Sequence, residues 1–295
     1  MEFKKAAKGD YSTICSYLKN SKVPICDFTP GAFIMWHKFY DVEFSLCDDF
    51  LYLRDGGSIP SYFIPVGEGD FEKAVKKLIP FAKGGKLNFN CVTVDKLILL
   101  RQIFGKKCTK YKFSRDAADY IYTADSMVTF AGKKLSAMRN HVNRFKKDYP
   151  DYKFIKMNES NFSRVRDFIR DFCLAKGEQD SEAMAEFEGI YALIDNIDYT
   201  DWCGGFIELE GKIIAISIGE YIGDTLVIHV EKADVSYSGC YQIMVNEFAK
   251  AFVREGIKYI NREDDIGLEG LRKSKLAYRP IKLIDKADVE ISICV

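Results

Sequence analysis

Histidine is scarce in this chain: three occur in 295 residues, at positions 37, 141 and 229. They lie far apart and show no HExxH or similar spacing, which argues against a histidine-built metal centre. The nine cysteines include no CxxC pair, their number is odd, and most sit among apolar neighbours. That usage reads as free thiols in a reducing compartment, not as a zinc site or a disulfide frame. No apolar run approaches the roughly 18 to 20 residues that span a bilayer. The opening residues MEFKKAAKGDYSTI lack the apolar middle of a secretory signal, so a cytoplasmic protein is expected. An excess of either charge is missing too, because Lys+Arg and Asp+Glu both number 43. Coating nucleic acid by bulk electrostatics is therefore disfavoured, and any RNA contact must come from a local patch. The two tryptophans, Trp36 and Trp202, read as packing residues.

Apolar residues make up 47% of the chain, enough for one large domain or two of about 150 residues each. The second half is the easier to parse. Residues 152–157 (YKFIKM) read as a strand, and Asn158 or Ser160 is placed to cap the helix after it. There Phe162, Val165, Phe168, Ile169 and Phe172 recur at helical spacing, and residues 183–194 form a second such helix. Three strand-like runs follow, GGFIELEG, KIIAISIGEYIG and DTLVIHVEKAD, with a hairpin turn expected at Glu210 and Gly211. A helix over residues 241–254 and a strand over 257–260 come next.

In the first half the pattern predicts a helix over 10–18 and a strand pair over 33–54, turning near Tyr40 and Asp41. A strand over 61–67, a helix over 70–81 and a turn at Gly84 and Gly85 lead into a strand over 87–92. A helix over 94–104 and the strand-like runs KYKFS and YIYTA complete it. Between the halves, residues 132–150 set Leu135, Met138, Val142, Phe145 and Tyr149 on one apolar stripe, with six Lys and Arg side chains largely off it. This is either a linker helix with a solvated basic face or a phosphate- or RNA-facing helix. On the second reading Arg139, Asn143 and Lys146 align, with Asn140 and His141 beside them. The division expected is 1–131, 132–150 and 151–295.

Residues 261–280 (NREDDIGLEGLRKSKLAYRP) are densely charged yet keep Ile266, Leu268, Leu271, Leu276 and Tyr278 as apolar punctuation. Acids, glycines and bases delivered by a buried strand suit a polar ligand site at the strand's C-terminal end. The alternative is a solvated loop and an amphipathic helix.

The order strand, two helices, three strands, helix, strand is similar to the GNAT acyltransferase fold. The loop VSYSGCY, with Gly239, falls where that fold cradles phosphate before its main helix. Only one glycine stands in it, which disfavours a standard acyl-CoA site. The stretches KKLSAMRNHVNRF, HVEKAD with YSGCYQIMVNEFA, and NREDDIGLEGLRKSKLAYRP resemble the phosphatidylglycerol lysyltransferase C-terminal-domain family, in particular its stand-alone members. Fem-type aminoacyl transferases are relatives. The likeness spans nearly the whole chain. It implies an α/β (α+β) protein of two fused GNAT-like lobes, with mixed, mostly antiparallel sheets flanked by helices and the site in the C-terminal lobe. It also implies a soluble acyl- or aminoacyl-group transferase to an amine or hydroxyl acceptor, with charged tRNA or a CoA thioester as donor, no tightly bound cofactor and no metal. A non-catalytic metabolite- or tRNA-binding module on the same scaffold is the alternative.

Under that reading Glu231 orients an ammonium or acts as general base, the alternative being an exposed partner of Lys232. Glu263, Asp264 and Asp265 bind the substrate ammonium, or an aspartate caps the next turn. Arg272 and Lys275 suit phosphates or a 3′-terminal adenosine, and Asn261 and Gly239 complete the binding set. Tyr278 protonates a leaving group or packs under the sheet. His229 reads more readily as a cleft-wall histidine than as a catalyst.

Overall fold

A computed structural model describes residues 1–21, 23–176 and 181–293; Cys294 lies outside them. In chain order the elements are β1 (Lys4–Lys5), α1 (Tyr11–Lys19), α2 (Pro30–Trp36), β2 (Glu43–Cys47), β3 (Phe50–Arg54), β4 (Ser61–Tyr62), β5 (Val66–Gly67) and α3 (Phe71–Lys76). There follow β6 (Lys86–Thr93), α4 (Val94–Phe104), β7 (Thr109–Thr123), α5 (Ala124–Thr129), α6 (Ser136–Asp148), β8 (Lys153–Lys156), α7 (Phe162–Lys176) and α8 (Ser181–Asp195). The chain closes with β9 (Trp202–Leu209), β10 (Lys212–Ile222), β11 (Thr225–Ala233), α9 (Cys240–Phe252), β12 (Tyr259–Asn261), α10 (Glu269–Ala277) and β13 (Lys282–Ser292). These elements form two compact units that interleave in sequence. One is Met1–Asp119 with Asp264–Gly267 and Ile284–Val295; the other is Tyr120–Glu263 with Leu268–Leu283.

In the first unit the strands run β1-β2-β3-β4-β6-β13-β7, with β5 paired to β3. Ile14, Leu18, Leu51, Val75, Leu87, Leu100 and Ile291 are among its fully buried side chains. Three expectations are corrected here. Residues 30–36 form a helix, not a strand: Thr29 accepts a hydrogen bond from the Ala32 N–H, and Pro30 takes the first helical position, where its missing donor costs nothing. The strand pair is β2–β3, and it turns at Asp48 and Asp49, both left-handed (φ 49° and 59°) as a two-residue hairpin turn requires. The expected 70–81 helix stops at Lys76, and a 3₁₀ turn at Ile79–Phe81 follows because Pro80 cannot continue an α-helix. In addition, residues 61–67 give two short pairings around Pro65, and the two runs after α4 fuse into the single strand β7.

In the second unit the order is β7-β12-β11-β10-β9-β8, with only β11 and β12 parallel. The elements expected from residue 152 onward form, with ends shifted by one to two residues. Glu210 and Gly211 are both left-handed (φ 51° and 80°) and turn β9 into β10. Phe145, Ile207, Ile214, Leu226, Ile243 and Ile260 lie in one core, to which α6 contributes Met138, Val142 and Phe145 from its apolar stripe. Trp202 packs on Phe162, and in the first unit Trp36 packs on Phe39 and Tyr40. The eight described cysteines form no disulfide. Among the described residues no helix is long and apolar enough to cross a membrane.

Candidate functional site

The parallel pairing of β11 with β12 lasts only three residues, from Thr225↔Tyr259 to Val227↔Asn261. Beyond it no ladder joins the strands, and charged side chains bridge the interval instead. His229 and Glu231, two apart on β11, share one face. Glu231 accepts a hydrogen bond from Arg262 Nη2 at 2.6 Å, and His229 Nδ1 lies 2.7 Å from Glu263 Oε1. Consecutive residues of a regular strand face opposite sides, so Arg262 and Glu263 would not ordinarily both reach β11. Glu263 does so because its backbone is left-handed (φ 55°). Asn261 holds that turn, its Oδ1 accepting the Glu263 N–H at 2.8 Å.

Beneath this pair, His229 Nε2 lies 2.8 Å from Glu220 of β10, a carboxylate only 1% exposed. β10 carries a bulge at Ile218 and Gly219 against β11. Burial alone would pull the His229 pKa down, but its hydrogen bonds and charge pairing with Glu220 and Glu263 push it up to about 10. The ring is therefore an imidazolium at neutral pH, clamped between two carboxylates. Arg262 is 8% exposed and lies over the Tyr278 ring at 4.5 Å and the Tyr122 ring at 5.8 Å. Burial opposes its charge, yet Glu231 holds its pKa above the usual arginine value. Burial likewise pushes both tyrosine hydroxyls up, so they remain protonated.

The residues singled out in the sequence divide between this constellation and other roles. Glu231, Glu263 and Asn261 are in it. Glu231 pairs with Arg262, while its neighbour Lys232 pairs with Glu186. Tyr278 is buried and stacked on the guanidinium. Lys275 is not a surface charge: it is 7% exposed and its Nζ donates to the Arg262 carbonyl at 2.5 Å. Arg272 is half-buried on α10. Arg262, His229 as a charged group and Glu220 were missed as partners. The one signal for Arg262 was a basic residue set immediately after a buried strand.

Asp264 and Asp265 belong to the first unit and take partners there. Asp265 is fully buried, pairs with Arg115 at 3.2 Å and caps the Gly267 N–H. Asp264 lies 3.8 Å from Lys286 Nζ. That ammonium is 2% exposed and sits 2.5 Å from Asp27 and 2.7 Å from Asp119. Cys26, Asp27 and Asp119 gather closely enough to share a cation, and the cation they share is Lys286.

On α6, Asn140, His141 and Asn143 are exposed. Arg139 Nη1 donates to the Phe130 and Gly132 carbonyls, and Lys146 pairs with Glu247. Gly239 is left-handed (φ 86°) at the start of α9, where an added Cβ would stand 3.0 Å from the His141 carbonyl oxygen. In the loop before it, Asp234 accepts from both the N–H and the hydroxyl of Ser236. The Tyr237 and Cys240 N–H groups bond within the same loop.

Residues 22–286 match the profile of the family described as phosphatidylglycerol lysyltransferase, C-terminal. The chain belongs to that family. A conserved protein of unknown function from Bacteroides thetaiotaomicron is 32% identical, with 99% of both chains covered and a TM-score of 0.90. L-PGS from Bacillus licheniformis (15% identity, 99% and 94% covered, TM-score 0.66) shares the fold. FemX (9%, 98% and 97%, TM-score 0.61) shares it as well. An uncharacterized protein of Mycoplasmoides gallisepticum is 27% identical over 188 residues, which are 60% of this chain; the match spans 57% of that relative's length. The family and the mixed, mostly antiparallel sheet with flanking helices are those expected from the sequence.

Proposed function

We propose that this chain transfers an aminoacyl group from an activated ester to an amine or hydroxyl acceptor, at the charged constellation of the second unit. Family membership supports a transferase that handles acyl or aminoacyl groups. The observation that carries the site is the set of buried ions where β11 and β12 part, Glu231–Arg262 and Glu220–His229–Glu263. Ions in an interior are costly unless paired, and side chains with strongly shifted pKa values concentrate where chemistry uses them. Of the three carboxylates Glu263 is the most open, with 26% of its side chain exposed. It is the one an incoming ammonium meets and the one that takes its proton.

The loop before α9 argues for an ester donor over a CoA thioester. A helix N-terminus attracts a pyrophosphate through free N–H groups. Here Asp234 supplies a carboxylate of its own, and the loop's N–H groups at Ser236, Tyr237 and Cys240 are engaged internally. Charged tRNA is the donor that remains. Lys133, Lys134 and Lys147, exposed and without an ion pair among the described residues, are the local cations that would meet its phosphates.

The test combines thermal stability with a transfer assay, using acetyl-CoA and charged tRNA as donors and hydroxylamine as acceptor. The reading expects salt-sensitive stabilisation by charged but not deacylated tRNA, and transfer that falls about 100-fold or more in Glu231→Gln. Stabilisation and turnover with acetyl-CoA alone would overturn the donor assignment. Binding of charged tRNA with no turnover in any assay would point to the non-catalytic binding module.

A further inference from the structure

We infer that Arg262 forms a niche for a single oxygen atom, the carbonyl oxygen of the group being transferred. This deepens the transferase reading above and rests on it. Arg262 Nη2 donates to Glu231, but Nε and Nη1 are buried and make no well-directed hydrogen bond, although the Tyr122 and Tyr278 oxygens stand nearby. The Tyr278 hydroxyl, over whose ring the guanidinium lies, is also buried and faces no acceptor or donor but that guanidinium. Leaving a buried donor unsatisfied costs about 1–3 kcal/mol, and more when the donor is charged. Two such donors on one side chain point to an acceptor that arrives from outside the chain.

A cavity opens at the guanidinium, lined by Arg262, Glu231 and Ser217 with Met127, Ile228 and Phe248 among its apolar walls. Its volume is about 10 Å³, room for one water-sized group. A phosphate or a carboxylate is too large for it. Glu231 takes one nitrogen of the guanidinium and fixes the group in place. A water or a single carbonyl oxygen fits that space.

The reaction then balances as follows. The acceptor nitrogen's lone pair forms a C–N bond to the ester carbonyl carbon, and the C=O π pair moves onto the oxygen held by Arg262. When that pair returns, the bond from carbon to the donor's sugar oxygen breaks. The proton lost by nitrogen passes through Glu263 to the departing oxygen, giving an amide and an alcohol. Donors already aimed at a developing oxyanion in a dry site contribute about 10²- to 10³-fold in rate.

The experiment is an arginine side-chain NMR titration of the full chain. The Arg262 Nε–H resonance is assigned through its scalar connectivities in the unmodified chain and titrated with N-methylacetamide and, separately, with sodium acetate. The expected result is a saturable shift with the amide and none with acetate. In the transfer assay Arg262→Lys should lower kcat about 100-fold with KM for the donor changed less than about threefold. No amide shift, or an equal shift with acetate, overturns the niche; the unmodified chain decides this alone if the variant fails to fold. Transfer that proceeds with an unchanged kcat in Arg262→Lys sinks the niche and leaves the transferase reading intact. A saturable amide shift in a chain that transfers from no donor sinks the transferase reading and leaves the oxygen site standing.

Discussion

His229 shows how a single residue carries charge into this interior. Its folded pKa of about 10 stands above the ordinary 6.5 because two carboxylates outweigh the cost of burial. A raised pKa means the folded state binds the proton more tightly than the unfolded one. The stability this contributes is complete below pH 6.5 and is lost as pH climbs from there through 10. Urea midpoints measured from pH 6 to 10 should therefore fall with pH more steeply in the wild type than in His229→Gln. Other groups titrate in both proteins and cancel in the difference. Parallel curves would mean that the imidazole enters the fold uncharged.

The element that decides the site is the short parallel ladder between β11 and β12. Its geometry depends on the bulge at Gly219 of β10, where a side chain has no room: an added Cβ would lie 2.4 Å from the Val227 carbonyl oxygen. Gly219→Ala must therefore push β10 away from β11, and with it Glu220 from His229. A loss of about 2–4 kcal/mol is expected, the scale of overpacking with backbone displacement. A chemical-denaturation midpoint measures it, and a change under 1 kcal/mol would mean the bulge moves freely. The hairpin at Glu210 and Gly211 and the apolar stripe of α6 needed no such context. Their signals lie within a few neighbouring residues, which is why the sequence exposes them. α2 was misread because the β-prone residues 33–36 dominated, although Thr29-Pro30 is a helix start.

At the scale of the whole molecule the two units interleave in sequence. The last strand from Ile284 onward belongs to the first unit. It pairs with β6 and carries Lys286, whose pKa stays well above the usual lysine value because Asp119 and Asp27 outweigh its burial. Lys286→Met would strand those carboxylates, at a cost of about 3–5 kcal/mol, the scale of breaking a buried ion pair. Removing residues 284–295 should go further and abolish cooperative protection of the first unit. Hydrogen exchange at the amides of β2, β3 and β6 would report it. Native protection in the truncated chain would show that β13 is dispensable.

What the sequence determined by itself is the periodic part of the protein. Helices, alternating strands, the basic stripe, the family and the charged tail after β12 all follow from residues close in the chain. Glu231 and Glu263 were legible as candidates because acids stood at the ends of buried strands. Their partners were not. Glu231 meets Arg262 31 positions away and His229 meets Glu263 34 positions away. Asp119 meets Lys286, which lies on the strand that closes the chain. Such pairs depend on where a three-residue register ends and on one left-handed residue, Glu263, that turns a side chain back across the gap. Only the tertiary structure decided them, because pairing of charges over long separations is set by strand order and backbone handedness, which leave no periodic mark in the sequence.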